Sequence, residues 1–297
     1  MFCEIADKYG FVIVWLAFTF MGLVSMAILS SMVFIPLYAK PTFETWKYKC
    51  NPVFPSPLLV KKEIVHTVKG LVVATMIPAF ALICSSGEKP WTYGYCTQGA
   101  AIDWKRTAIE TMIIFGFTDF TEYVYHHLGH KYKFLWMIHK HHHGFYNPSP
   151  FAVIADEWPD QFVRTLPMLA IPMIWRVNID LLFLCFASLF YGYGVYLHSG
   201  YETSWLKTHN PIFNTSYHHY THHASSVIGN VIYTGFFFKL WDKLFKTEEP
   251  AEKCACVECR PVISRSKSLW DKTDKPDYSV LLSFNWWMNT SIDGVRK

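Results

Sequence analysis

The sequence predicts an all-α integral membrane protein, with four to five transmembrane or re-entrant helices and a helical cap on the cytosolic side. Three observations predict it. Hydrophobic residues make up 52% of the 297 and charged residues only 17%, against about 25% charged in an average soluble chain. Aromatic residues reach 18%, with 12 Trp and 17 Tyr, amphipathic rings that favour the membrane–water boundary. Residues 11–38 carry no charge, and that run exceeds the roughly 20 residues needed to cross a bilayer. The formal charge of +4 comes without a basic stripe, so nucleic acid is excluded as a partner.

The elements follow in order. The run at 11–38 starts too late and runs too long for a cleaved signal peptide, and it is the first span. Residues 71–84 form a second apolar run, extended if its helix begins near Thr67. Residues 107–125 form a third helical stretch. It carries Glu110, Asp119 and Glu122, so one face must meet protein or water. Residues 162–175 and 177–197 make a hairpin around Arg176 and Asn178, its first arm short enough to be re-entrant or tilted. Residues 231–245 include Lys239, Asp242 and Lys243 and read as an interfacial helix. From Lys246 the chain is polar, Pro-containing and irregular. The domains are a membrane region at 1–104 with two transmembrane helices, a catalytic region at 105–246, and a polar cytosolic tail at 247–297.

Lys and Arg bias in short loops sets orientation. Lys40, Lys47, Lys49, Lys61, Lys62 and Lys69 follow the first span, and Lys131, Lys133, Lys140 and Arg164 surround the histidine-rich segment; the hairpin tip offers only Arg176. The consistent solution places 39–69, 126–160 and 198–297 in the cytosol and the N-terminus across the membrane. The eight cysteines make no disulfide framework. Cys254-x-Cys256-x-x-Cys259 reads as reduced thiols of a flexible tail, with metal binding or lipid attachment as alternatives.

Thirteen of the 14 histidines lie between positions 126 and 223, and only His66 lies outside. His126 and His130 are four apart and share a helical face. His139, His142 and His143 are spaced i, i+3, i+4, and His219, His222 and His223 repeat that spacing. His198 sits alone at the end of the hairpin. Eight or nine imidazoles exceed the four ligands a zinc ion takes, so two metal ions sharing them is the economical count. Imidazole suits iron, zinc, copper and nickel. His127, His141 and His209 fall off the repeated faces and read as ordinary hydrogen-bonded residues. His218 stands four before His222 and is open between the two roles.

At these residues the sequence resembles the fatty acid hydroxylase superfamily, which contains sterol C-5 desaturases, sterol C-4 methyl oxidases and lipid hydroxylases. Asp119, Tyr123, His126 and His130 resemble the family's first histidine box, and His139-Lys140-x-His142-His143 the second. His198-Ser199-Gly200-Tyr201 is similar to a segment of the C-4 methyl oxidases. Asn214-Thr215-Ser216-Tyr217-His218-His219-Tyr220-Thr221-His222-His223, then Asn230 and Trp241-Asp242-Lys243-Leu244-Phe245, resemble the third box and its tail. The resemblance implies a membrane stalk under a cytosolic cap holding two iron ions, on the endoplasmic reticulum. It implies molecular oxygen as co-substrate and electrons from NAD(P)H through cytochrome b5 and its reductase, or a similar carrier. The substrate would be a lipid, a sterol or fatty acyl chain, entering from the bilayer. Hydroxylation, desaturation and sterol C-4 demethylation all stay open. The terminal Val295-Arg296-Lys297 is no dilysine retrieval signal, so the compartment rests on the resemblance.

One departure matters. Relatives often carry a His-Pro pair after the second box, where this chain reads Ala155-Asp156-Glu157-Trp158-Pro159-Asp160. A carboxylate could fill the missing ligand position: Glu157, within one residue of it and longer, ahead of Asp156. The competing reading makes both solvated loop charges. The rival function is a membrane protein that binds or transports divalent metal. Transporters place ligands near the midplane of spans, whereas these clusters sit at span ends. A zinc protease is excluded by the lack of His-Glu-x-x-His.

Overall fold

The structure, a computed structural model, describes residues 2–96 and 103–293; Val295-Arg296-Lys297 lies outside them. Among the described residues the regular elements are all helical, with isolated bridges and no strand. Helix α1, Phe2–Phe34, bends at Gly10, whose φ of 72° suits a residue without a Cβ. The uncharged run begins at the next residue, and a π-helical turn, Ile35–Ala39, ends it. Helix α2, Pro57–Ala74, starts where Ser56 accepts the Leu59 N–H and proline takes the first position. Helix α3, Met76–Ser85, continues its path. Helix α4, Trp104–Lys131, is capped by Asp103, which accepts from the Arg106 N–H, and α5, Lys133–His139, follows. Helices α6, Trp158–Thr165, and α7, Pro167–Ile174, meet at Leu166. Asn178 caps α8, Ile179–Leu184, which runs through a π-helical segment into α9, Tyr191–Leu197. Helices α10, Ser216–Ser225, and α11, Leu240–Phe245, complete the cap.

Three helices among the described residues are long and apolar enough to cross a membrane: Phe2–Ala39, Pro57–Ser85 and Ile179–Leu197. Helix α4, with 28 residues, is about 42 Å long and runs alongside them despite its acidic residues. Its Glu110 is buried but paired, accepting from Arg106 at 2.8 Å and from the Asn178 N–H at 3.0 Å. The all-helical architecture is as expected, with three helices among the described residues long and apolar enough to span against the four to five transmembrane or re-entrant helices expected. Leu82, Ile114, Ile171, Ile179 and Leu182 are fully buried where α3, α4, α7 and α8 meet. In lipid such residues act through close packing rather than release of water.

The two ends of the bundle are distinct. At one, Cys3 and Cys96 are bonded across a sequence separation of 93. Tyr93 N–H donates to the Pro172 carbonyl at 2.7 Å, and Tyr95 N–H to the Val177 carbonyl at 3.0 Å, so the hairpin tip sits there too. At the other end lie the histidines. The scattered cysteines thus do yield one disulfide, because the bend at Gly10 folds the start of α1 toward the loop after α3.

Two further expectations need correction. Only Leu240–Phe245 of the run at 231–245 is α-helical. Residues before it stay out of a helix, where Asp242 takes the Thr234 and Gly235 N–H groups, each at 3.0 Å. The tail is not irregular: Trp270 and Tyr278 are buried with Phe34, Tyr38 and Trp46, and the Tyr278 hydroxyl donates to the Pro55 carbonyl at 2.6 Å.

Candidate metal centre

Each histidine arrives at the cap end on a helix terminus. Helix α4 delivers His126 and His130 one turn apart on one face. Helix α5 ends at His139, and the 3₁₀ turn His142–Gly144 presents His142 and His143. His198 is the residue after α9. Helix α10 opens with a capping box between Thr215 and His218 and carries His219, His222 and His223.

The structure brings all nine predicted histidines together, in two groups. His126, His130, His139, His143 and His222 place one ring nitrogen each within 4.8 Å of one another; His142, His198, His219 and His223 do the same. The nine residues are buried. In the first group His143 Nε2 stands 3.1 Å from His130 Nε2 and 2.9 Å from His139 Nε2. In the second, His219 Nε2 is 3.0 Å from His198 Nε2 and 3.1 Å from His223 Nε2. The groups adjoin, with the His143 and His223 ring centroids 4.8 Å apart. Ligands at right angles, each about 2.1 Å from one metal, stand about 3.0 Å apart. The observed spacing therefore fits imidazoles converging on two metal ions.

The orientation of the rings agrees. His126 Nδ1 donates to the Thr234 carbonyl at 3.0 Å, His222 Nδ1 to the Ile232 carbonyl at 2.6 Å, and His198 Nδ1 to the Gly194 carbonyl at 2.8 Å. With Nδ1 carrying the proton, Nε2 keeps its lone pair for a metal. The His126 and His222 Nε2 atoms are buried and have no protein partner, an orphaned state a bound cation would relieve. Burial pushes the imidazole pKa down, to about 4 at His198 and about 3 at His222, and well down at His126, His142, His143, His219 and His223. Neutral rings are the form that binds metal.

Glu157 is the predicted ligand that the structure does not bring in. It precedes α6 with extended backbone, and its carboxylate sits at the surface, 3.7 Å from His66 Nδ1 and 4.0 Å from His141 Nδ1. The carboxylates that do turn inward touch the outer nitrogens of ligand rings. Asp156 Oδ1 lies 2.6 Å from His142 Nδ1, and Asp160 Oδ2 lies 2.9 Å from His139 Nδ1. Asp160 also accepts from the Tyr125 hydroxyl. Asp156 is held by Gln161 and by Arg164, 2.9 Å away, and Arg164 reaches Glu122 at 2.6 Å. Sequence reading missed Asp160 and Arg164; the signal was an i, i+4 acid–base pair opening a helix next to the second histidine box.

The remaining histidines stand apart from these groups. The His218 ring accepts the Thr215 N–H at 3.1 Å, which makes it a cap. His127 Nδ1 meets the Tyr123 hydroxyl at 3.2 Å. Asp119 accepts from Phe237 N–H and Trp241 Nε1, both at 2.7 Å, tying α4 to the segment whose carbonyls orient His126 and His222.

Beneath the cap lies an apolar cavity of about 390 Å³, walled by Phe18, Phe183, Phe186 and Phe190 and reaching Glu122 and Arg164. It is of ligand-pocket size. It shares Arg164 with the Asp156–His142 contact.

Residues 111–247 match the family model "Fatty acid hydroxylase". The chain is 26% identical over 239 residues to a Delta(7)-sterol 5(6)-desaturase of Candida glabrata, covering 77% of this chain and 58% of that one. It is 25% identical over 237 residues to the corresponding Gibberella zeae desaturase, covering 78% and 61%. A third, from Eremothecium gossypii, is 30% identical over 139 residues, 47% of this chain and 37% of that one. The chain thus spans about three fifths of the length of the first two relatives. No solved structure matches. The matched residues 111–247 include all nine histidines of the two groups.

Proposed function

We propose that this chain is a membrane-bound, oxygen-dependent di-iron oxidoreductase that hydroxylates or desaturates a lipid, a sterol or fatty acyl chain, in lipid biosynthesis. One observation carries the reading: nine buried imidazoles converge at one end of a membrane bundle in groups of five and four. His126, His130, His139, His143 and His222 would hold one ion, and His142, His198, His219 and His223 the other. Bound iron supplies what no side chain can, the oxidising power to break an unactivated C–H bond with molecular oxygen.

The chain's own groups do the rest. The Thr234, Ile232 and Gly194 carbonyls fix ring tautomers. Asp156 and Asp160 hold the outer nitrogens of His142 and His139 and make those rings better donors. Arg164 and Gln161 keep Asp156 in place. The phenylalanine-walled cavity takes an apolar substrate from the bilayer and keeps water away.

Electrons come from NAD(P)H through cytochrome b5 or a similar carrier docking on a cytosolic cap, in the endoplasmic reticulum. The loop bias in Lys and Arg supports that orientation. So does the Cys3–Cys96 disulfide at the far end of the bundle, since disulfides persist in an oxidising lumen.

Lipid profiling of cells with and without the gene, with iron content of the purified protein, tests the reading. The expected result is one lipid lost and its precursor raised, with two iron ions per chain. An unchanged lipid profile, or far fewer than two ions with full activity, overturns it. Zinc after overexpression does not, because such sites bind zinc more tightly than ferrous iron.

A further inference from the structure

A separate group of metal-binding side chains lies outside the histidine centre. His209, Cys254, Cys256 and Cys259 place their ligand atoms within 4.8 Å of one another. His209 Nε2 is 3.2 Å from Cys259 Sγ and 3.4 Å from Cys256 Sγ. Three thiols and one imidazole are a donor set of structural zinc sites. Zinc–sulfur bonds of about 2.3 Å and a zinc–nitrogen bond of about 2.1 Å set tetrahedral edges near 3.6 Å, within a few tenths of an ångström of those separations.

The backbone that carries these residues is ordered by hydrogen bonds as well. Cys256 to Cys259 form a tight turn, with Cys259 and Arg260 N–H donating to the Cys256 carbonyl at 3.0 and 2.9 Å. The turn is pinned from several sides. Ala255 N–H donates to the Tyr217 hydroxyl at 2.6 Å, Val257 N–H to Glu202 at 2.8 Å, and Arg260 reaches the Lys47 carbonyl at 2.6 Å. Cys256 itself is buried against Cys50 and Tyr217. The four donors are therefore assembled by contacts that do not depend on the metal.

We propose that His209, Cys254, Cys256 and Cys259 bind a structural zinc ion, distinct from the histidine centre, that clips the tail onto helix α10. Tyr217, which the tail grips, lies on the same helix as His219, His222 and His223. The ion closes a loop of more than forty residues between His209 and Cys254 and holds the floor of the histidine centre in register.

Zinc K-edge X-ray absorption on the purified full chain decides it, because the histidine centre contains no sulfur. The expected spectrum has a sulfur shell near 2.3 Å. The double variant Cys256→Ser/Cys259→Ser should lose that shell and one metal ion per chain, and His209→Cys should retain it. A zinc-loaded wild-type protein with no sulfur shell overturns the proposal, and so does a shell that survives the double variant. If the double variant does not fold, the wild-type spectrum still decides. Neither result depends on what the histidines hold, since failure of the di-iron reading leaves the sulfur signal untouched.

Discussion

At one end of the bundle a single covalent bond, Cys3–Cys96, joins two chain segments, while at the other nine imidazoles converge from separate helix ends, positioned by packing and by hydrogen bonds to carbonyls and Asp160. The first arrangement tolerates sloppiness in its surroundings, since a disulfide acts mainly by restricting the unfolded chain. The second does not. Its rings must converge to within tenths of an ångström, so their partners form a layer of their own: Asp156, Asp160, Arg164 and the carbonyls of 232 and 234. Stability and activity should therefore be separable by position along the bundle axis.

The largest effect is expected at the rings themselves. His142→Ala and His222→Ala should each reduce product to background while the protein remains in the membrane, read by lipid product and immunoblot in parallel. Normal product from either would remove that residue from the centre. One layer out, Asp160→Asn and Arg164→Met should cost about 10–100-fold in metal affinity or activity. An unchanged metal stoichiometry and rate would reduce both residues to packing.

Acid should also distinguish the ends. His198 and His222 have folded pKa values of about 4 and 3, below the ordinary 6.5, so the unfolded chain binds more protons between those values. In metal-stripped protein their contribution is complete above about pH 6.5 and falls as pH drops toward 4. Hydrogen exchange should then show α10 opening before the disulfide end; simultaneous opening would contradict the comparison.

Ala187→Trp, on the cavity wall, should lower kcat/KM by about tenfold, with the loss in KM and the metal content intact. An unaltered KM would move the lipid path elsewhere. The smallest effect on activity is expected at Cys3→Ser: turnover within about twofold at 25 °C, but about 2–4 kcal/mol less stability. In sealed microsomes, an epitope tag placed after Lys297 should be open to added protease. Protection of the tag would invert the orientation.

Much of this was legible in the sequence, but unevenly. Eight of the nine histidines could be gathered by helical spacing, which fixes which side chains can meet, and His198 only by resemblance. Their division into two groups could not be read that way. His139 and His143 join one group and His142 the other, because α5 stops at His139 and a 3₁₀ turn follows. Helix α10 likewise sends His222 to one group and His219 with His223 to the other. Glu157 was a reasonable choice by chain position. Neighbouring residues of an extended segment face opposite ways, and Asp156 has the inward place. Residues 232–234 looked helical by apolar content, yet their carbonyls are needed by His126 and His222. The tail's burial was illegible because its partners, Phe34, Tyr38 and Trp46, lie more than two hundred residues away.

The position of the disulfide along the chain also bears on how the protein is made. Both of its cysteines, and the first two spans between them, are synthesised before the first ring at His126. In the proposed orientation the lumenal side can be oxidised and locked while the metal-binding half is still nascent. Translation then hands the later helices a finished scaffold to assemble against. Metal loading on the cytosolic side becomes the closing event of biogenesis rather than its seed.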